Sequence, residues 1–469
     1  MQTQPSPGGP SRRAVVAGLL GAALAAGCEG SDGGARETPS AGGAAPTGTA
    51  TGSVTTSPAA SGAPQRLRMG VNYVPSEHWW YSWTNWRPSS LAADLESIAS
   101  LGLDHIRIMC MWPEFQPNQA FVSAELISRL VTLLDLADDA GLDVEVTVFN
   151  GAVSGFLFLP SWLLDRAGDP MVRDFLTDPG ILDAERALLT ALAKAVGRHP
   201  RFLGFDLSNE LHWAVIPTLG RVHPVDGDAW HTAMFAHAER VAPGKLHVSG
   251  IDHHPWLSGE VFSREGLATS GTATAVHTWP GWTEVIQTYG PLSTPSVHYS
   301  EYYVEFVKAF HTDPGRRVWL EETGISRQWA PLADHPEWAE RTIRNAASCG
   351  NLLGVTWWCS HDLNPDLTGF VALEYDLGLM TNDRRVKSLG RRVARLAGEY
   401  ADTPPRPMER PVALAVPDGT GSGAAFLEPF MRLVEAGVRP AVVLASRATD
   451  AEYLASRGIE QVLTLDEVP

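Results

Sequence analysis

The feature that most restricts this chain is an alternation, sustained from Leu67 to about Tyr400, of short apolar runs with longer amphipathic stretches. Runs of strand length followed by segments of helical period are the pattern of βα units around a parallel sheet. The runs fall at 69–73, 104–109, 143–149, 202–207, 245–250, 273–277, 317–321 and 353–358, and eight is the number that closes a barrel. Between them, segments such as SAELISRLVTLLDLADDAG and DAERALLTALAKAVG repeat apolar residues at intervals of three and four. The first opens on Ser123, whose hydroxyl suits a helix N-cap, and ends on Gly141, which suits the left-handed turn that closes a helix. The last helix is expected in VKSLGRRVARLAGEY. An open doubly wound sheet is the alternative, disfavoured because no glycine-rich phosphate turn follows the first run. The expected fold is therefore α/β, a (β/α)8 TIM barrel over residues 66–402.

After Thr403-Pro404-Pro405 the character changes. Residues 410–469 read as a strand PVALAVP, a helix through FLEPFMRLVEAG, a strand PAVVLA, a short helix and a last strand near QVLTL. An αβ appendage of that size needs to dock on the barrel to be stable. Its Gly419, Gly421 and Gly423 read as a connecting loop, with no chemistry assigned to them.

Ahead of the barrel, Arg12 and Arg13 precede an apolar run that ends in Ala25-Ala26-Gly27-Cys28. The run is too short for a bilayer core, which takes about 20 apolar residues as a helix, so residues 1–28 read as an export signal. The paired arginines resemble a twin-arginine signal, and the segment at Cys28 resembles a lipobox, with Ala25 where Leu is usual; Cys28 is then the lipidation site. Residues 29–65 are nearly all Gly, Ala, Ser, Thr and Pro, a composition that remains an unfolded tether. The expected location is extracytoplasmic, with membrane attachment only through the N-terminal lipid, or secreted.

Charge and cysteine usage remove several function classes. With 36 Lys plus Arg against 53 Asp plus Glu, and no long basic run in the folded part, nucleic acid is excluded as a partner. Setting Cys28 aside leaves Cys110, Cys349 and Cys359, without metal-ligand spacing and too few for a disulfide-stapled scaffold. Neither His253-His254 nor His361-Asp362 completes a metal ligand set, and no cofactor motif appears. The 16 Trp, several beside loop-forming residues, suit stacking on the apolar faces of sugars.

In a parallel barrel, reactive groups collect at the C-terminal strand ends, where the βα loops converge. Two expected strand ends carry glutamate: Ser208-Asn209-Glu210 on the fourth and Trp319-Leu320-Glu321-Glu322-Thr323-Gly324 on the seventh. Glycoside hydrolysis with retention needs two carboxyls about 5 to 5.5 Å apart, one protonated to serve the leaving oxygen and one ionised to attack the anomeric carbon. Asn209 is suited to bond the sugar 2-hydroxyl. Adjacent strand residues face opposite sides, so only one of Glu321 and Glu322 is expected in the site.

These residues resemble the glycoside hydrolases of clan A, and family 5 in particular. The Asn-Glu pair ending strand four and the Glu-x-Gly ending strand seven carry the likeness, with GVNYVP on strand one, Arg107 on strand two, His277 after strand six and Trp357-Trp358 at strand eight. The resemblance implies Glu210 as acid/base and Glu322 as nucleophile. It also implies that Arg107 keeps the nucleophile ionised and that Trp357 or Trp358 lies under the sugar. Many members show His-x-Tyr after strand six; this chain has His277-Thr278-Trp279, which puts Trp279 among the substrate-site candidates, as is His361 after strand eight. The strings VPSEHWW, FLPSWL, RVWLEETG, WWCSHD and LEYDLGLM resemble a bacterial branch acting in exo fashion on β-mannosides, including mannosyl-β-1,4-N-acetylglucosamine. A retaining β-mannosidase acting on an oligosaccharide or glycan is thus implied. The alternatives are an endo-β-1,4-mannanase, a β-glucanase, and a surface lipoprotein that binds glycan without cutting it. Exo action needs a closed site, and the long loops at 151–180 and 278–297 are placed to wall one end.

Overall fold

A computed structural model describes residues 66–165, 167–168, 171–220, 222–419 and 423–468. The leader with Cys28 and the tether lie outside the described residues. Eight parallel strands are present: β1 (Arg68–Asn72), β2 (His105–Met109), β3 (Asp143–Asn150), β4 (Phe202–Asn209), β5 (Val248–Gly250), β6 (Thr274–Thr278), β7 (Val318–Thr323) and β8 (Leu352–Trp357). Their ladder runs β5-β4-β3-β2-β1-β8-β7-β6. Two backbone bonds bring its ends together, Thr272 N–H to His247 C=O at 2.8 Å and His277 N–H to Ile251 C=O at 2.9 Å, so the barrel is nearly closed. The strands fall on the apolar runs of the sequence, but β4 and β7 extend further than expected, to Asn209 and Thr323, and β5 begins later, at Val248.

The outer helices are α1 (Pro88–Ala99), α2 (Ala124–Asp139), α3 (Pro179–Val196), α4 (Pro224–Val241), α5 (Arg264–Thr269), α6 (Thr294–Lys308), α7 (His335–Ala347) and α8 (Ser388–Asp402). Local chemistry sets their ends. Ser123 Oγ accepts the Leu126 N–H at the start of α2, and Gly141, at φ +76°, follows its last turn. Asp178 caps α3 on the N–H groups of Gly180 and Ile181. Among the described residues no helix is long and apolar enough to cross a membrane.

The interior divides by strand parity. Val71, Ile106, Ile108, Val144, Val146, Phe205, Leu207 and Leu320 are buried with the helices in one apolar cluster. The alternate positions put Asn72, Arg107, Glu145, Thr147, Asp206 and Glu321 into the barrel, all buried. Polar groups in such a place must pair with one another, and the site is built from that pairing.

Beyond the barrel, β9 (Val412–Val416), β10 (Ala441–Leu444) and β11 (Gln461–Leu463) form a parallel sheet in the order β10-β9-β11, with α9 (Leu427–Glu435) and α10 (Ala451–Ser456). This unit docks on α6. Phe430 packs edge-on against Tyr302, Arg410 and Arg439 reach Glu301 at 2.7 and 2.6 Å, and Arg457 reaches Glu305 at 3.2 Å. Cys110, Cys349 and Cys359 are buried free thiols.

Candidate active site

Arg107, in the middle of β2, organises the barrel mouth. All five of its N–H groups have acceptors: Nε and Nη2 donate to Asp206 (3.0 and 2.6 Å), Nη1 to Asn72 (2.9 Å) and Glu322 (2.6 Å), and Nη2 also to Asn209 (2.8 Å). The guanidinium thus links β1, β2, β4 and β7, and it holds the Glu322 carboxyl by a charge-assisted bond. Asn209 donates in turn to the Ala152 carbonyl.

Glu321 and Glu322 depart from the expectation that strand neighbours face opposite sides. On β6, Val276 pairs with Leu320 and His277 with Glu322; on β8, Val355 pairs with Leu320 and Trp357 with Thr323. One extra residue of β7 is therefore accommodated against both neighbours, which is a β-bulge, and bulges re-aim side chains. Both carboxyls turn inward as a result. Glu321 is fully enclosed beneath the mouth, with Oε2 3.0 Å from His277 Nε2, whereas Glu322 retains a small exposure. The carboxyl open to a substrate is that of Glu322.

Glu210 follows β4 with φ +47°, a left-handed conformation uncommon outside glycine that recurs at functional sites. Its N–H donates to Gly250 C=O at 2.9 Å, and Oε1 lies 2.8 Å from His277 Nδ1. That same Nδ1 is 3.4 Å from Glu322 Oε2. Among the described residues, Glu210, His277 and Glu322 form a group whose facing atoms all lie within 4.8 Å of one another. The two carboxyls therefore flank one small volume. Trp279 completes the surroundings by donating its indole N–H to Glu322 Oε2 at 3.3 Å.

Burial and neighbouring charge separate the two acids. Burial raises the Glu210 pKa well above the ordinary glutamate value, and the negative charges of Asp252 and Glu322 push the same way. Burial also raises Glu322, but there His277 and Arg107 oppose it. Burial lowers His277 to about 4, so its imidazole is neutral at pH 7.

Of the two tryptophans ending β8, Trp357 turns outward, where its ring packs edge-on against Trp338 of α7 and its indole N–H reaches Leu377 C=O at 3.2 Å. Trp358, joined to Cys359 by a cis peptide bond, bonds instead to Glu374. His361 is not brought to the carboxylates. It is buried against α1, with Nε2 3.2 Å from Ser97 Oγ and Nδ1 3.3 Å from Val74 O, partners that satisfy both ring nitrogens. Trp357 and His361 are thus both turned away from the two carboxylates.

Three neighbours were not singled out from the sequence, although Glu374 lies within the string LEYDLGLM. Glu374, in the loop after β8, accepts from Ser154 Oγ at 3.0 Å, and burial lifts it to about 7. Asp252, after β5, accepts the Trp213 indole N–H at 2.7 Å and lies 2.8 Å from His212 Nε2. Asp206 precedes Glu210 by four residues on β4, a spacing that marks an inward position but not a partner. Loops after β1, β3 and β8 meet in an aromatic wall: Trp79 touches Phe158 and Phe370, and Phe370 touches Phe156 and Tyr375. In the loop after β6, Trp282 packs on Trp329 and stays partly exposed.

A scan of protein-family models and a search of curated proteins return no match. Solved structures do match. A GH5_18 protein from Streptomyces cattleya in complex with GlcNAc is 38% identical, with TM-score 0.82, over 87% of this chain and 100% of its own. A glutamate-to-alanine variant of GH5_18 from Bifidobacterium longum subsp. longum in complex with Manβ1-4GlcNAc is 32% identical, with TM-score 0.80, over 85% of this chain and 96% of its own. The exo-β-1,4-mannosidase Op5Man5 from Opitutaceae bacterium strain TAV5, at 20% identity and TM-score 0.71 over 85% of this chain and 72% of its own, shares the fold.

Proposed function

The chain belongs to glycoside hydrolase family 5, in the GH5_18 group, and from that premise we propose that it removes β-linked mannose from the non-reducing end of mannosyl-β-1,4-N-acetylglucosamine or a related glycan, with retention of configuration. The observation that carries this reading is the flanking of one small volume by the carboxyls of Glu210 and Glu322, with facing atoms within 4.8 Å, close to the spacing of retaining enzymes, about 5 Å.

In the first step, the Glu210 proton passes to the glycosidic oxygen as its bond to the anomeric carbon breaks, and Glu322 attacks that carbon to form a glycosyl ester. In the second step, Glu210, now a carboxylate, takes a proton from water as the water oxygen attacks the same carbon and releases Glu322. The raised pKa of Glu210 suits the acid, and the Arg107 bond suits an ionised nucleophile. Trp358 is the platform beneath the sugar, with Glu374 beside it. The aromatic wall built by Trp79, Phe156, Phe158 and Phe370 supports a blind end and hence exo action. The twin arginines and Cys28 support export and lipid anchoring outside the cytoplasm.

The test is to incubate the purified protein with Manβ1-4GlcNAc and follow the anomeric protons by NMR. Release of mannose first seen as the β-anomer is the expected result. First appearance of the α-anomer excludes retention, and faster loss of mannan viscosity than of the disaccharide replaces exo by endo action.

A further inference from the structure

The barrel interior holds a second pair of carboxyls, Glu145 on β3 and Glu321 on β7, both fully buried. We infer that Glu321 is a positioning residue that carries a proton and donates it, as O–H, to Nε2 of His277, fixing the imidazole with Nδ1–H turned toward Glu210 and Glu322. Its consequence for turnover rests on the roles proposed above; the inference about the proton does not.

The barrel interior holds too few donors to keep both of these carboxyls ionised. The single guanidinium of Arg107 already spends its five N–H groups on Asp206, Glu322, Asn72 and Asn209, and its Nε lies 3.6 Å from Glu321 without a proton to share. Two carboxylates thus balance one cation before Glu321 is considered. Apart from one another, Glu321 Oε1 and both oxygens of Glu145 meet no N–H or hydroxyl among the described residues. An anion enclosed without donors is strongly unfavourable, so this pair is retained by holding protons. Burial pushes both carboxyls upward, and Glu145 stands close enough to Glu321 to hydrogen-bond with it.

With the Glu210 proton on Oε2, one arrangement of the histidine satisfies every neighbour. Nδ1 faces Glu210 Oε1 at 2.8 Å and Glu322 Oε2 at 3.4 Å, and Glu322 is ionised on Arg107. A proton on Nδ1 meets these acceptors, which leaves the Nε2 lone pair 3.0 Å from Glu321 Oε2, where only an O–H can satisfy it. When Glu210 gives its proton to the leaving oxygen, the new carboxylate is met by an N–H already in place. No rearrangement of the imidazole is needed.

The direct test uses the full chain labelled with 15N-histidine, with the His277 signals assigned by their loss in His277→Asn. At pH 7 the expected spectrum shows Nδ1 protonated and Nε2 bare; the reverse tautomer, or an imidazolium, overturns the inference. This measurement needs no substrate, so its failure is distinct from failure to hydrolyse a mannoside. The kinetic test compares two variants. Glu321→Leu removes the O–H, and is expected to lower kcat by up to about tenfold, the worth of one hydrogen bond between uncharged groups. It is also expected to move the alkaline limb of kcat/KM upward, because Glu210 loses a donor that favours its ionised form. Glu321→Gln, which offers N–H in place of O–H, is expected to recover most of the loss.

The groups facing Glu210 are His277 from β6, Glu322 from β7, Arg107 from β2, Asp252 after β5 and Glu374 after β8. Those facing Glu321 are Arg107, Glu145, His277 and, on β4, Asp206. All are common to both variants. A limb that moves to lower pH in either variant is the sign of a lost anion and overturns the inference, as does a Gln variant no better than Leu.

Discussion

Trp279 donates its indole N–H to Glu322 at 3.3 Å, on the carboxyl oxygen opposite the one held by Arg107. The pair clamps the nucleophile from two sides, and the tryptophan stands where the related family pattern has tyrosine. Trp279→Phe keeps the ring and removes the donor. A hydrogen bond to a charged group is worth about 1.5 to 3 kcal/mol, so kcat/KM is expected to fall about tenfold to a hundredfold. Steady-state kinetics on an aryl β-mannoside checks this, and a loss below about twofold removes the clamp from the mechanism.

Glu210 and Glu322 are expected to fail in different ways. Glu210→Ala loses the acid, so substrates with poor leaving groups slow by about 10²- to 10⁴-fold while activated aryl mannosides retain formation of the glycosyl-enzyme. Added azide then reacts with that ester without a general base, and β-mannosyl azide accumulates. Glu322→Gln forms no ester, and azide gives no β-azide. Chromatography of the products distinguishes them, and equal behaviour of the two variants excludes the proposed division of roles.

Asp252 offers a test with a definite sign. Its negative charge is the largest electrostatic contribution raising Glu210, after burial itself. Glu210 acts as an acid only while protonated, so activity falls as pH rises through its pKa. Asp252→Asn removes the charge, and the alkaline limb of kcat/KM is expected to move to lower pH, by up to about one unit. A pH profile taken beside that of the unsubstituted protein decides it; a shift to higher pH contradicts the electrostatic account.

What the sequence discloses here follows from how local each feature is. The strands were legible because each is a short apolar run, and α2 was legible to its ends because Ser123 and Gly141 act on their immediate neighbours. Glu210 and Glu322 stood out because each ends a strand in a recognisable string, and β4 and β7 bring them together. That Glu321 and Glu322 both turn inward was not legible, since a bulge is a property of pairing with β6 and β8 and leaves no mark on β7 alone. Glu374 and Asp252 come from loops whose spacing to the strands carries no period. His361 follows β8 in sequence, but the placement of its ring is set by Ser97 of α1 and the Val74 carbonyl, which are distant in the chain.

Gly250 tests how tightly the interior is filled. A Cβ at that position would lie 2.5 Å from Glu321 Oε2, 2.6 Å from His277 Nε2 and 2.9 Å from Arg107 Nη2. None of the three can withdraw without breaking a buried hydrogen bond. Gly250→Ala is expected to destabilise the fold by about 1 to 3 kcal/mol through overpacking, and to lower kcat more than KM, because it displaces His277 and Arg107 together. Denaturant unfolding and kinetics measure the two effects; an alanine variant of full stability and activity means that the cluster is looser than its distances state.

The appendage is joined to the barrel by charge in a place where water does not reach. Glu301 and Glu305 of α6 are fully buried and meet Arg410, Arg439 and Arg457 from the appendage. Burial opposes the ionised form of Glu305, yet Lys308, Arg410 and Arg457 outweigh it and hold the carboxyl at about 2. A carboxyl depressed in the folded state adds stability that is complete above its unfolded value, about 4.3, and is lost as pH falls through the folded one. Stability is therefore expected to decline between about pH 4 and pH 2. Arg410→Met leaves the two glutamates short of a cation, and breaking a buried pair costs about 3 to 5 kcal/mol at neutral pH. Adding Glu305→Gln removes one of the stranded charges, so the double variant is expected to be more stable than Arg410→Met alone. Thermal unfolding of the three proteins at pH 7 and pH 3 measures this; strictly additive losses would mean that the two side chains do not act on one another, and that apolar contacts such as Phe430 on Tyr302 hold the appendage by themselves.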